Sequence, residues 1–256
     1  MLGIAPDRLE SLATVLRDGE AFSHTTSAAL WGIPLPREDR ARIHVTASGG
    51  ANRIRRPGVT GHRATDLPIT MLGILPVTTP AYTWVQLAQL LHHDDLVAAG
   101  DSLVTPRRVA RKPALASIDD LSRAILRNAR GAARARRALV DVRVGAESRM
   151  ETLVRLLLVR SGLPEPDLNP AIQLGPDVYH PDLHYPQWQL AIEYLGDQHR
   201  TDPREWGRDI QRREAFEHRG HKVIAVTKHD LAEPERLLAR VCRGIAQQQE
   251  AQRQRL

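Results

Sequence analysis

The chain has 256 residues, of which 42% are hydrophobic and 26% are charged, and this balance is typical of a folded globular protein. A collagen-like rod, a long disordered chain and a disulfide scaffold are excluded, because the apolar fraction is ordinary and Cys242 is the only cysteine. No apolar stretch approaches the roughly 20 residues of a membrane-spanning helix. We therefore expect a cytoplasmic protein without membrane contact, and the chain length predicts two domains.

The net charge of +6 originates in one central segment. Residues 107–143 carry 11 basic and 3 acidic side chains, whereas residues 1–106 carry 9 and 10, and residues 144–256 carry 16 and 17. We therefore predict an N-terminal domain over 1–106, a basic helical connector over 107–143 and a C-terminal domain over 144–256.

Arginines of the connector repeat with helical spacing. Steps of four and three residues place five of them on one face of a helix: Arg123, Arg127, Arg130, Arg134 and Arg137. One interpretation is a face that follows the phosphates of double-stranded DNA, because guanidinium groups neutralise successive backbone charges. The other is a solvated helix, which Gly131 would weaken by roughly 1 kcal/mol.

The N-terminal domain alternates between helix and strand patterns. Helical spacing predicts helices over 7–17 and 23–31, and a third helix after Pro80. Strand patterns cover 42–47 and 59–63 and enclose a basic loop. Two helices followed by a strand pair resemble a winged helix, with this loop as the wing, and the alternative is a small α+β domain with an exposed loop.

Four short motifs of this half carry a family resemblance. They are SHTT at 23–26, LWGIP at 30–34, IHVT at 43–46 and PVTTP at 76–80. In these motifs the region 1–140 resembles the abortive-infection antitoxin family of actinobacteria. The resemblance implies a DNA-binding module that regulates transcription.

The C-terminal half predicts an α/β domain with the order helix, three strands, helix, strand, helix. The first helix follows Ser148 as N-cap, and Glu151 three residues later completes a capping box. Strand patterns cover 171–174, 178–185 and 189–195. A helix over 202–219, a strand over 222–227 and a final amphipathic helix follow.

Two acidic residues interrupt the apolar pattern of neighbouring strands. Alternation along 178–185 places Asp182 on the face opposite Tyr179 and Leu183. Alternation along 189–195 places Glu193 opposite the apolar face, where a carboxylate needs a compensating cation. If the two strands are adjacent, Asp182 and Glu193 converge on one hard cation such as Mg²⁺, and this is chemistry for cutting a phosphodiester bond.

The motifs around these acids resemble a nuclease superfamily. PD at 181–182, EYLGDQHR at 193–200 and GHKVI at 220–224 look like the PD-(D/E)XK nucleases, in particular the branch related to the very short patch repair endonuclease. The resemblance covers about residues 147–231. It implies an αβββαβ core, Mg²⁺ or Mn²⁺ held by Asp182 and Glu193, assistance from Glu151, and cleavage of DNA by an activated water.

One position departs from this family pattern. The family places an acid or a lysine two residues after the strand glutamate, and Leu195 stands there in this chain. Asp197 is a possible replacement, and the alternative is that Asp182 and Glu193 suffice together with His199 as a general acid or base. Arg200 and Arg213 are candidate phosphate contacts.

The residues described so far are compatible with three functions. The first is a metal-dependent DNA endonuclease with an N-terminal DNA-binding module. The second is a DNA-binding regulator whose nuclease-like domain has lost cleavage, as Leu195 indicates. The third is a partner-binding protein that does not contact DNA.

Overall fold

The computed structural model describes residues 6–36, 42–50, 52–108, 110–127, 130–175, 177–196, 211 and 213–255. The chain forms two compact units, Met1–Val144 and Gly145–Leu256. Both units combine helices with β-sheets, so the predicted α/β class is confirmed. Within the described ranges, every helix is either too short or too polar to cross a bilayer.

The first unit contains a five-stranded sheet with the strand order β3-β2-β1-β5-β4 and six helices in its described part. The elements are α1 (Pro6–Ala13), β1 (Glu20–Phe22), α2 (His24–Trp31), β2 (Ile43–Ala47), β3 (Val59–Arg63), β4 (Ile69–Leu72), β5 (Leu75–Thr78), α3 (Pro80–Leu87), α4 (His93–Val104), α5 (Ile118–Arg127) and α6 (Ala132–Asp141). In its core, Leu9 and Leu12 of α1 pack against apolar residues of the sheet, namely Phe22, Ile43, Val45 and Val77.

The predicted strand pair 42–47 and 59–63 is observed as β2 and β3, which run parallel. A parallel pair needs a crossover connection and cannot share a hairpin turn. The basic loop between these strands is therefore a crossover and does not form the wing that the sequence predicted. The middle strand β1, with three residues, was too short to give an alternating pattern.

The basic segment 107–143 does not form one helix, so the predicted continuous arginine face is wrong. Gly131 has φ +80° and is the N-cap of α6, and a helix cannot run through this left-handed conformation. The helices on either side pack inside the first unit, where α5 contacts α3 and α6 contacts α4. Three small residues on one side of α6 are buried in this packing: Ala132, Ala135 and Ala138.

The second unit contains a four-stranded sheet with the order β11-β10-β9-β6 and a separate hairpin of β7 and β8. The elements are α7 (Arg149–Arg160), β6 (Asp167–Leu168), β7 (Ile172–Leu174), β8 (Asp177–Tyr179), β9 (Leu183–Tyr185), β10 (Leu190–Tyr194), β11 (Lys222–Val226) and two final helices, Lys228–Ala232 and Pro234–Arg253. Residues 213–218 of the predicted helix 202–219 are helical as well, and residues 202–210 lie outside the described part of the chain. The strand β10 pairs antiparallel with β9 and parallel with β11.

Alternation along β10 divides its side chains between two apolar clusters, as predicted. Leu190 and Ile192 pack with Val154 and Leu158 of α7, whereas Ala191 lies on the other face of the sheet. The final helix contributes to the same cluster as α7, through Leu237, Val241 and Ile245. Glu193 therefore follows Ala191 on the face opposite the larger cluster.

The predicted strand 178–185 is divided into β8 and β9. Pro181 lies at the interruption, where its missing N–H and fixed φ prevent continuous pairing. Tyr179 joins the cluster of Ala191, whereas Leu183 and Tyr185 join the cluster of Ile192. The prediction that Tyr179 and Leu183 share a face is therefore wrong.

Candidate functional site

Strand pairing brings Asp182 next to the end of β10. In the antiparallel register, Ala191 pairs with His184 and Ile192 with Leu183. Continued by one residue beyond the start of β9, this register brings Asp182 towards Glu193. The contact is direct, because the backbone N–H of Tyr194 donates to Asp182 Oδ2 at 2.8 Å. The two acids that the sequence singled out thus both lie at the end of β10.

Tyr179 is a partner of Glu193 that the sequence patterns did not identify. Its hydroxyl donates to Glu193 Oε1. Burial raises the pKa of Tyr179 far above its usual range, and the adjacent Glu193 carboxylate raises this pKa further. The tyrosine therefore stays a neutral donor at physiological pH, and it fixes one carboxylate oxygen of Glu193.

Glu151 is the third acid of the site and is 6% exposed. It lies in the first turn of α7, where its N–H donates to Ser148 Oγ at 3.2 Å, as predicted for an N-cap. This bond is the N-cap half of the predicted capping box. The carboxylate of Glu151 also has partners outside the cap, because Oε2 accepts from the N–H of Glu147 at 2.8 Å and from Asn169 Nδ2 at 2.7 Å.

The carboxylates oppose one another's ionisation. Burial raises the pKa of Asp182 well above its usual range, and the nearby charges of Glu151 and Glu193 raise it further, while the Tyr194 N–H acts in the opposite direction. Burial likewise raises the pKa of Glu151. Such a site gains stability from a cation that compensates the negative charge. Its donors are oxygen atoms, the type of ligand that Mg²⁺ and Mn²⁺ prefer, but these three acids do not bring three ligand atoms within 4.8 Å of one another in the described part of the chain.

Leu195 follows the end of β10 and is 39% exposed. Its N–H donates to the carbonyl oxygen of Val226 at 2.7 Å, so the backbone at this position still pairs with β11. No ligand atom is available on this side chain two residues beyond Glu193. The predicted residues Asp197, His199 and Arg200 lie outside the described part of the chain.

Arg213 lies close to the acidic site. It lowers the pKa of Tyr179 through its charge, which opposes the effect of Glu193 on the same hydroxyl. Its Nε also pairs with Glu217 Oε1 at 3.3 Å, and the guanidinium is partly exposed. Arg213 is therefore held near Tyr179 with part of its surface open to a ligand.

The five arginines predicted to contact DNA have different surroundings. Arg123 pairs with Asp120 at 2.7 Å, and Arg134 donates to the backbone carbonyl of Leu91. The remaining three lie at the end of α5 or at exposed positions after it: Arg127, Arg130 and Arg137. They form no continuous stripe, because the helices α5 and α6 are separate.

Sequence patterns missed two other sets of residues. Asn169, which bonds to Glu151, lies outside any periodic segment, so no signal identified it. Three histidines of the first unit, His24, His44 and His62, lie close together although they belong to three different elements. Two of them occur in motifs of the antitoxin resemblance, but those motifs gave them no role.

Comparison with known proteins finds two relatives in Mycobacterium tuberculosis. The uncharacterized proteins Rv2248 of strain H37Rv and MT2308 of strain CDC 1551 are each 30% identical to this chain over 245 residues. Each match covers 94% of this chain and 88% of the relative. No family model matches the chain, and no solved structure matches it significantly.

Proposed function

The chain belongs to the same family as these two mycobacterial proteins, and we propose that its second unit is a metal-dependent DNA endonuclease of the PD-(D/E)XK type. One observation carries the proposal: burial raises the pKa of Asp182, and the negative charges of the nearby Glu151 and Glu193 raise it further, so three acids interact within one site. Packing alone does not favour three acids in one partly buried site, because burying a charge without a compensating partner costs free energy.

In this proposal, the helix α7 and the strands β9, β10 and β11 correspond to parts of the αβββαβ core that the motifs imply. In this proposal Asp182 and Glu193 hold Mg²⁺ or Mn²⁺, and Glu151 assists from α7. When bound, the ion would polarise a phosphate oxygen and lower the pKa of a water. Tyr179 orients Glu193, and His199 and Asp197 are the proposed residues for proton transfer and auxiliary binding.

Double-stranded DNA is the proposed partner. The first unit serves as the DNA-binding module, in line with the antitoxin resemblance, and the arginines of 107–143 contact phosphates through their charge. The same proposal gives Arg213 and Arg200 the role of contacting the scissile phosphate. We also retain the cytoplasm as the proposed compartment, where double-stranded DNA is accessible in a bacterium.

A DNA-binding regulator without cleavage is the second candidate. The exposed Leu195 favours it, because the residue offers neither a metal ligand nor a group that positions water. Under this alternative, the acidic site would still affect the stability of the fold but would not catalyse hydrolysis of a phosphodiester bond.

Nicking of supercoiled plasmid distinguishes the two candidates. The full chain is incubated with plasmid and Mg²⁺ or Mn²⁺ and compared with Asp182→Asn and Glu193→Gln, which preserve shape and remove charge. Asp177→Asn is the matched control, because Asp177 is an exposed acid of the neighbouring strand β8. We expect nicking by the wild type and by the control and its loss in the two site variants. Equal nicking by all four proteins, or none by the wild type, would reject the nuclease proposal in favour of the regulator.

A further inference from the structure

Three histidines meet on the sheet of the first unit. His44 belongs to β2 and His62 to β3, and the parallel register of these strands sets His44 opposite Thr60 and His62 opposite Thr46. His24 is the first residue of α2, and the N–H of the preceding Ser23 donates to the His44 carbonyl at 3.0 Å. Each histidine offers a ring nitrogen, and these three nitrogens lie within 4.8 Å of one another.

The rings are packed against each other. His44 Nδ1 and His62 Nε2 are 2.9 Å apart and share a hydrogen bond, and the ring of His24 stacks on that of His62 with centroids 3.8 Å apart. His24 Nδ1 lies 3.0 Å from Ser23 Oγ, which leaves its Nε2 for another partner. A hydrogen bond on one ring nitrogen is the usual way in which a protein orients a metal-binding histidine.

The imidazoles are neutral at physiological pH and so have free electron pairs. Burial lowers the pKa of His24 to about 2 and that of His44 to about 4, and it also lowers the pKa of His62. Burial thus favours the neutral imidazole, which is the form that binds metal ions. The nearby positive charge of Arg42 also lowers the pKa of His44, and those of Arg130 and Arg53 also lower the pKa of His62.

The backbone at His24 is unusual as well. It has φ +51°, in the left-handed region that side chains other than glycine seldom adopt. The N–H of His24 donates to Gln86 Oε1 at 3.2 Å, and this bond holds the strained residue in place. Strain of this kind concentrates at functional sites.

From this geometry we infer that His24, His44 and His62 form a binding site for one divalent transition-metal ion of the zinc class. Three imidazole nitrogens suit Zn²⁺, Co²⁺, Ni²⁺ or Cu²⁺ and do not suit Mg²⁺. A fourth position would accept water or an anion, and the adjacent arginines Arg53 and Arg130 favour the anion.

Metal binding requires the imidazoles to turn, because the three rings are within 12–32° of parallel and each must point its lone pair in the ring plane at the ion. Zinc-to-nitrogen bonds of about 2.0–2.1 Å in a tetrahedral site separate the nitrogens by roughly 3.3 Å, slightly more than the hydrogen-bonded pair. The metal replaces the hydrogen bond between His44 and His62. The proton of that bond moves to the other nitrogen of its own ring, so neutral histidines bind the ion without a net release of protons.

This site lies in the first unit and does not depend on the proposed nuclease activity. To separate the two, the test uses the full chain with Asp182→Asn, freed of metal with a chelator. Zn²⁺ binding is measured by titration calorimetry in excess Mg²⁺, and Co²⁺ is added to follow its visible absorption. His44→Gln and His62→Gln remove ligands, and His92→Gln is the matched control because His92 is an exposed histidine of the same unit.

We expect one Zn²⁺ per chain, a Co²⁺ spectrum typical of low coordination number, and an increase of about tenfold or more in Kd for each ligand variant but not for the control. If a ligand variant fails to fold by circular dichroism, the other provides the comparison, since His62 lies on the edge strand β3. Absence of stoichiometric binding to the folded chain, or unchanged binding in both ligand variants, would overturn the inference.

Discussion

Asn169 connects Glu151 to Asp182. Its side-chain amide donates to Glu151 Oε2 at 2.7 Å, and its backbone N–H donates to the carbonyl oxygen of Asp182 at 3.1 Å. The same amide also donates to the Gly145 carbonyl at 2.9 Å. One residue thus fixes the start of α7 relative to the turn that carries Asp182.

The first prediction concerns Asn169→Gly. The backbone of Asn169 has φ +46°, which glycine adopts without strain, so this substitution removes the amide but keeps the turn. Glu151 then loses a donor while it remains buried, and we expect a loss of about 1–3 kcal/mol in the free energy of unfolding. Denaturant unfolding measures this difference. A loss well below about 1 kcal/mol would show that the amide does not support Glu151.

The second prediction concerns the charge of Asp182. Its pKa is raised in the folded chain above the unfolded value of about 4, so the folded state holds its proton more tightly. The stability of the metal-free chain therefore decreases as pH rises from about 4 towards the folded pKa. Asp182→Asn removes this loss, and the asparagine oxygen still accepts from the Tyr194 N–H.

We expect the Asp182→Asn variant to melt at a higher temperature than the wild type at pH 7–8 without metal, and the difference to shrink near pH 4. Adding Mg²⁺ should raise the melting temperature of the wild type but not that of Asp182→Asn. Asp177→Asn serves as the exposed control. A variant that melts below the wild type across this pH range would contradict the electrostatic account of the site.

The third prediction concerns acid unfolding of the first unit. The pKa of His24 is about 2 and that of His44 about 4, both below the unfolded value of about 6.5. The unfolded chain therefore binds protons first, and the stability that is fully present above pH 6.5 is lost progressively as pH falls towards these values. His44→Gln should flatten this dependence between pH 6.5 and 4, as measured by urea unfolding at a series of pH values. His92→Gln should leave it unchanged, and an equal slope in His44→Gln would refute the explanation.

The fourth prediction concerns the salt dependence of binding to double-stranded DNA. If the arginines near α6 contact phosphates, the double variant Arg130→Gln/Arg137→Gln should reduce the slope of log affinity against log salt by about 0.9 for each lost contact. Fluorescence anisotropy with a short duplex measures this slope. Arg236→Gln is the control, because Arg236 lies in the final helix of the second unit, 3.5 Å from Glu233. Duplex affinity that hardly changes with salt in the wild type would instead favour the partner-binding alternative.

Much of the fold was predictable because it follows local periodicity. The alternation of β10 placed Glu193 opposite the larger apolar cluster, and Ser148 marked the start of α7. The division of the predicted strand 178–185 into β8 and β9 was not predictable from alternation alone. Pro181 interrupts the strand, and the Tyr179 side chain therefore packs in a different cluster from that of Leu183. The histidine cluster was not predictable at all, since its members meet only through the pairing of β2 with β3 and the position of α2.

The hydrogen bond from the Tyr194 N–H to Asp182 has one more consequence. It ties a metal-ligand candidate to the backbone of the strand that carries Glu193. An ion bound at Asp182 would draw electron density from the carboxylate that accepts from this amide, so its binding would weaken the hydrogen bond of the Tyr194 N–H. The exchange rate of that single amide proton with deuterated solvent thus offers a direct reporter of whether the acidic site is filled.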